Sequence, residues 1–171
     1  MKTSASIRLR SLPVWTVRLC IALAALLLGS GAASAQAPTL HGVWAQVITP
    51  RDCATNQPLP FASPFRVLLT FHRDGTVTES VGAPSFAAGQ RSIGHGQWAH
   101  DGGLTYSERT VAMILFTGGT GAYQEGWQVT TRTITMTDAN HYTSSGAAQF
   151  YDVNGQLYRT GCATSVGERF Q

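Results

Sequence analysis

From Gly42 onward the chain is cut into short runs of alternating side chains, each closed by a cluster of Gly, Asp, Asn or Pro. A period of two sends successive side chains to opposite faces of a strand, and almost nothing in this region carries the 3.6-residue period of a helix. The runs predict strands at Gly42–Thr49, Arg66–His72, Thr76–Val81, Gly94–His100, Leu104–Phe116, 124–137, His141–Tyr151 and Gln156–Thr164. The clearest hairpin is 68–77, where Arg73-Asp74-Gly75 separates two apolar runs. Asp101-Gly102-Gly103, Asp138-Ala139-Asn140 and Asp152-Val153-Asn154-Gly155 mark further reversals. Eight strands joined mostly by short reversals make an all-β, antiparallel, up-and-down meander. Closing it into an eight-stranded barrel removes both exposed edges, whereas a two-sheet sandwich would use the same strands.

Ahead of this region Lys2, Arg8, Arg10 and Arg18 flank an apolar run from Leu19 to Leu28, followed by Ala33-Ser34-Ala35. A basic flank, a short apolar core and an A-x-A site predict a cleavable signal peptide over residues 1–35, leaving one domain over 36–171. Cys20 leaves with the signal. Four of the twelve basic residues and none of the nine acidic ones lie in this leader, so the remainder is close to neutral at −1. Such a surface gives no electrostatic reason to expect nucleic acid or, after cleavage, a membrane as partner. Lys2 is the only lysine, which excludes a lysine nucleophile from the exported part. Cys53 and Cys162 are its only cysteines, and an even count in a secreted or periplasmic domain predicts a disulfide between them. Two free buried thiols are the alternative.

The first strand opens with Gly42-Val43-Trp44, the G-x-W with which lipocalin barrels begin, and Thr137-Asp138 falls between the sixth and seventh strands. With the meander, these residues make the chain resemble the lipocalin-like (calycin) β-barrels. The resemblance implies a closed barrel in which Arg159, on the last strand, packs over Trp44. A Cys53–Cys162 bond would be similar in kind to the disulfides that fasten lipocalin termini to the barrel.

Strand faces locate the candidate contacts. The seventh strand carries Tyr142, Ser144, Gly146, Ala148 and Phe150 on one face, small in its middle and aromatic at its ends. Turned inward, that face leaves a hollow, although a barrel of this size can also be filled by its own side chains. The fifth strand has no cleanly polar face and does not assign the lumen. Trp44, Trp98, Tyr106, Trp127, Tyr142 and Phe150 are the candidate ligand contacts. The histidines at 41, 72, 95, 100 and 141 form no HxH or HExxH motif, so neither a metal nor another cofactor is expected. No G-x-S-x-G elbow is present, and Gly118-Gly119-Thr120-Gly121 reads as a hairpin tip over the barrel.

The expected function is binding of a small apolar molecule outside the cytoplasm, without catalysis. The competing expectation is a cofactor-independent cyclase or isomerase, similar to allene-oxide-cyclase-type calycins. His72, His95, Tyr106, Glu108 or Arg109 would then act in an apolar pocket. Burial of a charged Glu108 or Arg109 beside an open cavity would favour the enzyme. Oligomeric state is not encoded in these patterns. Sequencing the exported protein should show an N-terminus at Gln36 or within two residues of it. An intact Met1 in the exported fraction would refute the leader.

Overall fold

The computed structural model describes residues 39–170, so the predicted signal peptide and Gln36 lie outside the described residues. The strands are β1 (Gly42–Arg51), β2 (Phe65–Phe71), β3 (Thr76–Gly82), β4 (Gly94–Gly102), β5 (Thr105–Ile114), β6 (Gly126–Met136), β7 (His141–Asp152) and β8 (Leu157–Arg169). Each pairs antiparallel with the next, and β1 pairs with both β2 and β8, so the sheet is a closed barrel and not a sandwich.

Turn chemistry sets the hairpins. Asp74 accepts from the Thr76 N–H, Asp138 from that of Asn140, and Asp152 from those of Asn154 and Gln156. These are side-chain-closed turns of the kind Asp favours. Gly75 and Gly155 supply the left-handed backbone, at φ 84° and 80°.

One expected boundary moves substantially. β8 runs to Arg169 and not to Thr164, because Ser165–Arg169 pair with β1. Gly161, Ala163, Ser165 and Gly167 face inward there, so the strand lacks the apolar alternation that reveals the others. The extension also changes which arginine covers Trp44. Trp44 pairs directly with Arg169, whose guanidinium stands 4.3 Å from the indole. Arg159 is at the other end of β8, over the rings of Tyr123 and Phe150.

The barrel is solid at the Trp44 end. Leu40, Trp44, Phe71, Tyr106, Met136 and Tyr142 are buried there, with Trp98 packed against them. Segment 39–41 crosses this end and is bound on both sides of the indole. Trp44 Nε1 donates to the Leu40 carbonyl at 2.8 Å, and Arg169 donates to the carbonyls of Thr39, His41 and Ala139. Cys53 and Cys162 form a disulfide with Cα atoms 5.1 Å apart, bonding the β1–β2 loop to β8. The bond fits an oxidising compartment.

Gly167 lies directly opposite Tyr142, and a Cβ there would stand 2.2 Å from the phenol ring. The ring occupies the space that the glycine leaves, the cross-strand cover that aromatic residues give to strand glycines. Gly167→Val should therefore cost about 2–3 kcal/mol or more in urea unfolding. Val166→Thr, one residue away and outward-facing, should stay within about 0.5 kcal/mol of the parent.

Candidate functional site

Above the apolar plug the interior becomes charged. Glu79 on β3, Glu108 on β5 and Arg132 on β6 are buried side chains pointing into the barrel, joined by Arg91 from the β3–β4 loop. Arg132 Nη1 donates to Glu108 Oε1 at 2.7 Å, and its Nη2 donates to Glu79 Oε1. Arg91 Nη2 donates to Glu79 Oε2 at 2.5 Å, and its Nε to Gln128 Oε1 at 2.6 Å.

Register and small residues make this belt possible. Glu108 and Arg132 are direct cross-strand partners. Glu79 pairs with Gly94, and a Cβ on Gly94 would stand 3.0 Å from Glu79 Oε2 and 3.4 Å from Arg91 Nη2. A side chain at 94 would therefore crowd the carboxylate and its cation together.

The two carboxylates differ in character. Burial alone would push Glu79 up, but Arg132 and Arg91 outweigh it and hold the carboxyl below its ordinary range. Burial pushes Glu108 up and the nearby charge of Glu79 adds to this, with Arg132 opposing only in part. Arg132 is desolvated too, yet the two carboxylates hold its proton more firmly than usual. Among the described residues three buried side-chain polar atoms have no hydrogen-bond partner: Glu108 Oε2, Thr110 Oγ1 and Gln46 Nε2. Gln46 Oε1, by contrast, accepts from the Tyr142 hydroxyl at 2.8 Å.

Beyond the belt the barrel is hollow. A cavity of about 770 Å³ opens at the end opposite the plug, with Gln46, Glu79, Thr130 and Arg132 at its inner limit and Gln128 higher on the wall, paired with Phe150. That volume lies within the roughly 300–1,000 Å³ of small-ligand pockets. The hollow exists because β7 and β8 offer little volume there: Ser144, Gly146 and Ala148 lie beside their cross-strand partners Ser165, Ala163 and Gly161 on one wall. Ile48, Phe65, Val81 and Phe150 supply the apolar wall. At the mouth stand Leu59 and Phe61 of the β1–β2 loop, and Phe86 stacked on Tyr123 at 4.3 Å. Phe61 is 99% exposed, so none of the described residues covers it.

The structure disperses the aromatic residues singled out from sequence. Phe150 lines the cavity, while Trp44, Trp98, Tyr106 and Tyr142 belong to the plug or its edge. Trp127 faces outward and stacks on Tyr151. The inward face of β7 is the one carrying Tyr142 through Phe150. Of the groups considered for catalysis, Glu108 is buried in the belt behind Arg132 and does not reach the cavity wall. Arg109 and His95 are exposed on outward faces. His72 is exposed and bonded to Thr78, and Tyr106 packs on Trp98 and His100.

Glu79, Arg132, Arg91, Gln46 and Gln128 were not singled out by sequence reasoning. A signal existed for two of them. Glu79 keeps step with Val77 and Val81, and Arg132 with Ile134 and Met136, so each is an ionisable group in phase with an apolar face.

No protein-family model matches the chain, and no curated protein matches it.

The carboxylates should respond oppositely to substitution. Glu79, with its folded-state pKa lowered, stabilises the fold above the ordinary carboxylate range and loses this as pH falls below that range to the lowered pKa. Glu108, with its pKa raised, stabilises only below that range and loses this as pH rises past that range to the raised pKa. At pH 7, Glu79→Gln should cost about 3 kcal/mol in urea unfolding, since it removes the carboxylate that faces Arg91 and one of the two that face Arg132. Glu108→Gln keeps an acceptor for Arg132 and should stay within about 1 kcal/mol of the parent.

Proposed function

We propose that this protein is an exported, non-enzymatic binding barrel that holds one small, mostly apolar molecule in its open end. The observation that carries this reading is the cavity of about 770 Å³, walled by Ile48, Phe65, Val81 and Phe150 and left hollow by the small residues of β7 and β8. Enclosure of apolar surface is the main source of affinity in such a site. The leader-like sequence before residue 36 and the Cys53–Cys162 bond support a secreted or periplasmic setting. Closure into eight strands, the opening Gly42-Val43-Trp44 and the arginine over Trp44 support a lipocalin-like relationship, with Arg169 in the role first given to Arg159.

Glu79 and Arg132 at the inner end of the cavity favour a second reading, a cofactor-independent cyclase or isomerase. A general base needs a free lone pair and a pKa near the working pH. Glu79 has a guanidinium N–H on each oxygen and a depressed pKa, so it serves better as an anchor for the arginines than as a base. Glu108 has a free Oε2 and a raised pKa, but it is buried behind Arg132 and does not line the cavity.

Native mass spectrometry of the purified protein should show a retained small molecule or, after stripping, saturable uptake of a neutral apolar probe such as N-phenyl-1-naphthylamine. Ala148→Phe places a ring in the hollow beside Phe150 and should weaken that uptake about tenfold or more, which is at least 1.4 kcal/mol. Uptake untouched by the substitution would place the probe elsewhere. A recovered ligand chemically altered by incubation with the protein would establish the enzyme instead.

A further inference from the structure

The inner end of the cavity offers hydrogen-bond donors while its amide and carboxylate acceptors are already engaged. Gln46 Oε1 takes the Tyr142 hydroxyl, and Gln128 Oε1 takes Arg91 Nε. Each oxygen of Glu79 takes a guanidinium N–H. The donors are in the opposite condition. Gln46 is buried to 1% exposure at the cavity limit, and its Nε2 has no partner. Gln128 also lines the cavity and spends only its oxygen on Arg91. Ser144 and Ser165 share one hydrogen bond of 2.5 Å between their hydroxyls, so the pair keeps one O–H to give.

A buried donor without an acceptor costs about 1–3 kcal/mol, and a ligand that supplies the acceptor recovers it. Charge adds a second constraint. Arg132 and Arg91 are faced by Glu79 and Glu108 within the barrel, so the cations here already have anionic partners. A ligand carboxylate would compete with Glu79 for the same guanidinium groups, and an ammonium would meet two guanidinium groups and unpaired amide N–H donors.

Resting on the binding-barrel reading, we propose that the ligand is an apolar molecule whose inner end carries a neutral hydrogen-bond acceptor of the carbonyl class, as in a ketone or an ester. Gln46 Nε2 donates to that oxygen at the floor, Gln128 Nε2 is a second donor higher on the wall beside Phe150, and the hydrocarbon part fills the space between Ile48, Phe65, Val81 and Phe150. A site built to satisfy a polar group rejects the analogue that lacks it, because the protein's own group is then left unpaired.

The test compares a medium-chain methyl ketone, the hydrocarbon of equal length and the primary alkylamine of equal length. Each is titrated against the full exported protein by displacement of N-phenyl-1-naphthylamine. The ketone should bind about tenfold or more tightly than the hydrocarbon, and the amine no better than the hydrocarbon. Two variants locate the head group. Gln46→Leu combined with Tyr142→Phe removes the floor donor together with the hydroxyl that would otherwise lose its partner. Gln128→Glu keeps the acceptor for Arg91 and turns the free donor into a second acceptor. In each, the ketone's advantage should shrink severalfold while the hydrocarbon still binds, which also shows that the variant has folded. Equal binding of ketone and hydrocarbon by the parent protein overturns the head-group assignment and leaves the apolar cavity standing. So does a ketone advantage unchanged in both variants, or an amine that matches the ketone. Failure of all three compounds and of the probe overturns the binding-barrel reading itself.

Discussion

One guanidinium, Arg132, holds the interior together. It joins carboxylates from two other strands, Glu108 beside it and Glu79 on β3, and so ties β3, β5 and β6 through the middle of the barrel. Taken out of water singly, each of these charges would cost several kcal/mol. Together, with Arg91 completing the set, they form a layer whose members hold one another. The layer decides where the core ends. On one side the barrel is packed with aromatic and aliphatic side chains around Trp44, and on the other it is hollow. Leucine or phenylalanine at 79 and 132 would continue the packing upward and reduce the room for a guest. Polar belt and hollow lumen therefore belong to one arrangement.

The strands were legible because alternation is local, and the Asp-centred turns because their hydrogen bonds span only a few residues. The hollow was partly legible, since Ser144, Gly146 and Ala148 announce a face without volume and that face turned out to point inward. The far end of β8 was not legible, because Gly161 to Gly167 alternates small residues with small residues. Misplacing that end by five residues was enough to assign the indole-covering role to Arg159, when the strand presents Arg169 to Trp44. Aromatic residues were poor guides to the site. Large rings settle where they bury most area, which here is chiefly the plug, and only Phe150 of the six reached the cavity. The belt is a long-range object: Glu79 and Arg132 are 53 residues apart, and nothing local says that they meet.

The mouth follows a different rule from the barrel. Its loops are long, carry exposed apolar groups and include Phe61, which none of the described residues covers, yet one of them is bonded covalently to β8. Cys162 itself lies on the cavity wall. The disulfide thus fixes one side of the entrance to the frame, while the 83–86 segment opposite is held by the Phe86–Tyr123 stack and a hydrogen bond between Ser85 and Tyr123. Access to the hollow is set by a covalent strap on one side and by weaker contacts on the other.

The plug end has a geometric consequence for the rim. The described chain enters the barrel through Thr39–His41 and leaves it at Phe170, both beside Trp44 and so both at the solid end. The opening faces the other way. The 39–41 segment and Phe170 therefore lie at the end of the barrel away from the cavity. The rim is thus built from loops at the opposite end, and residues 39–41 and 170 take no part in it.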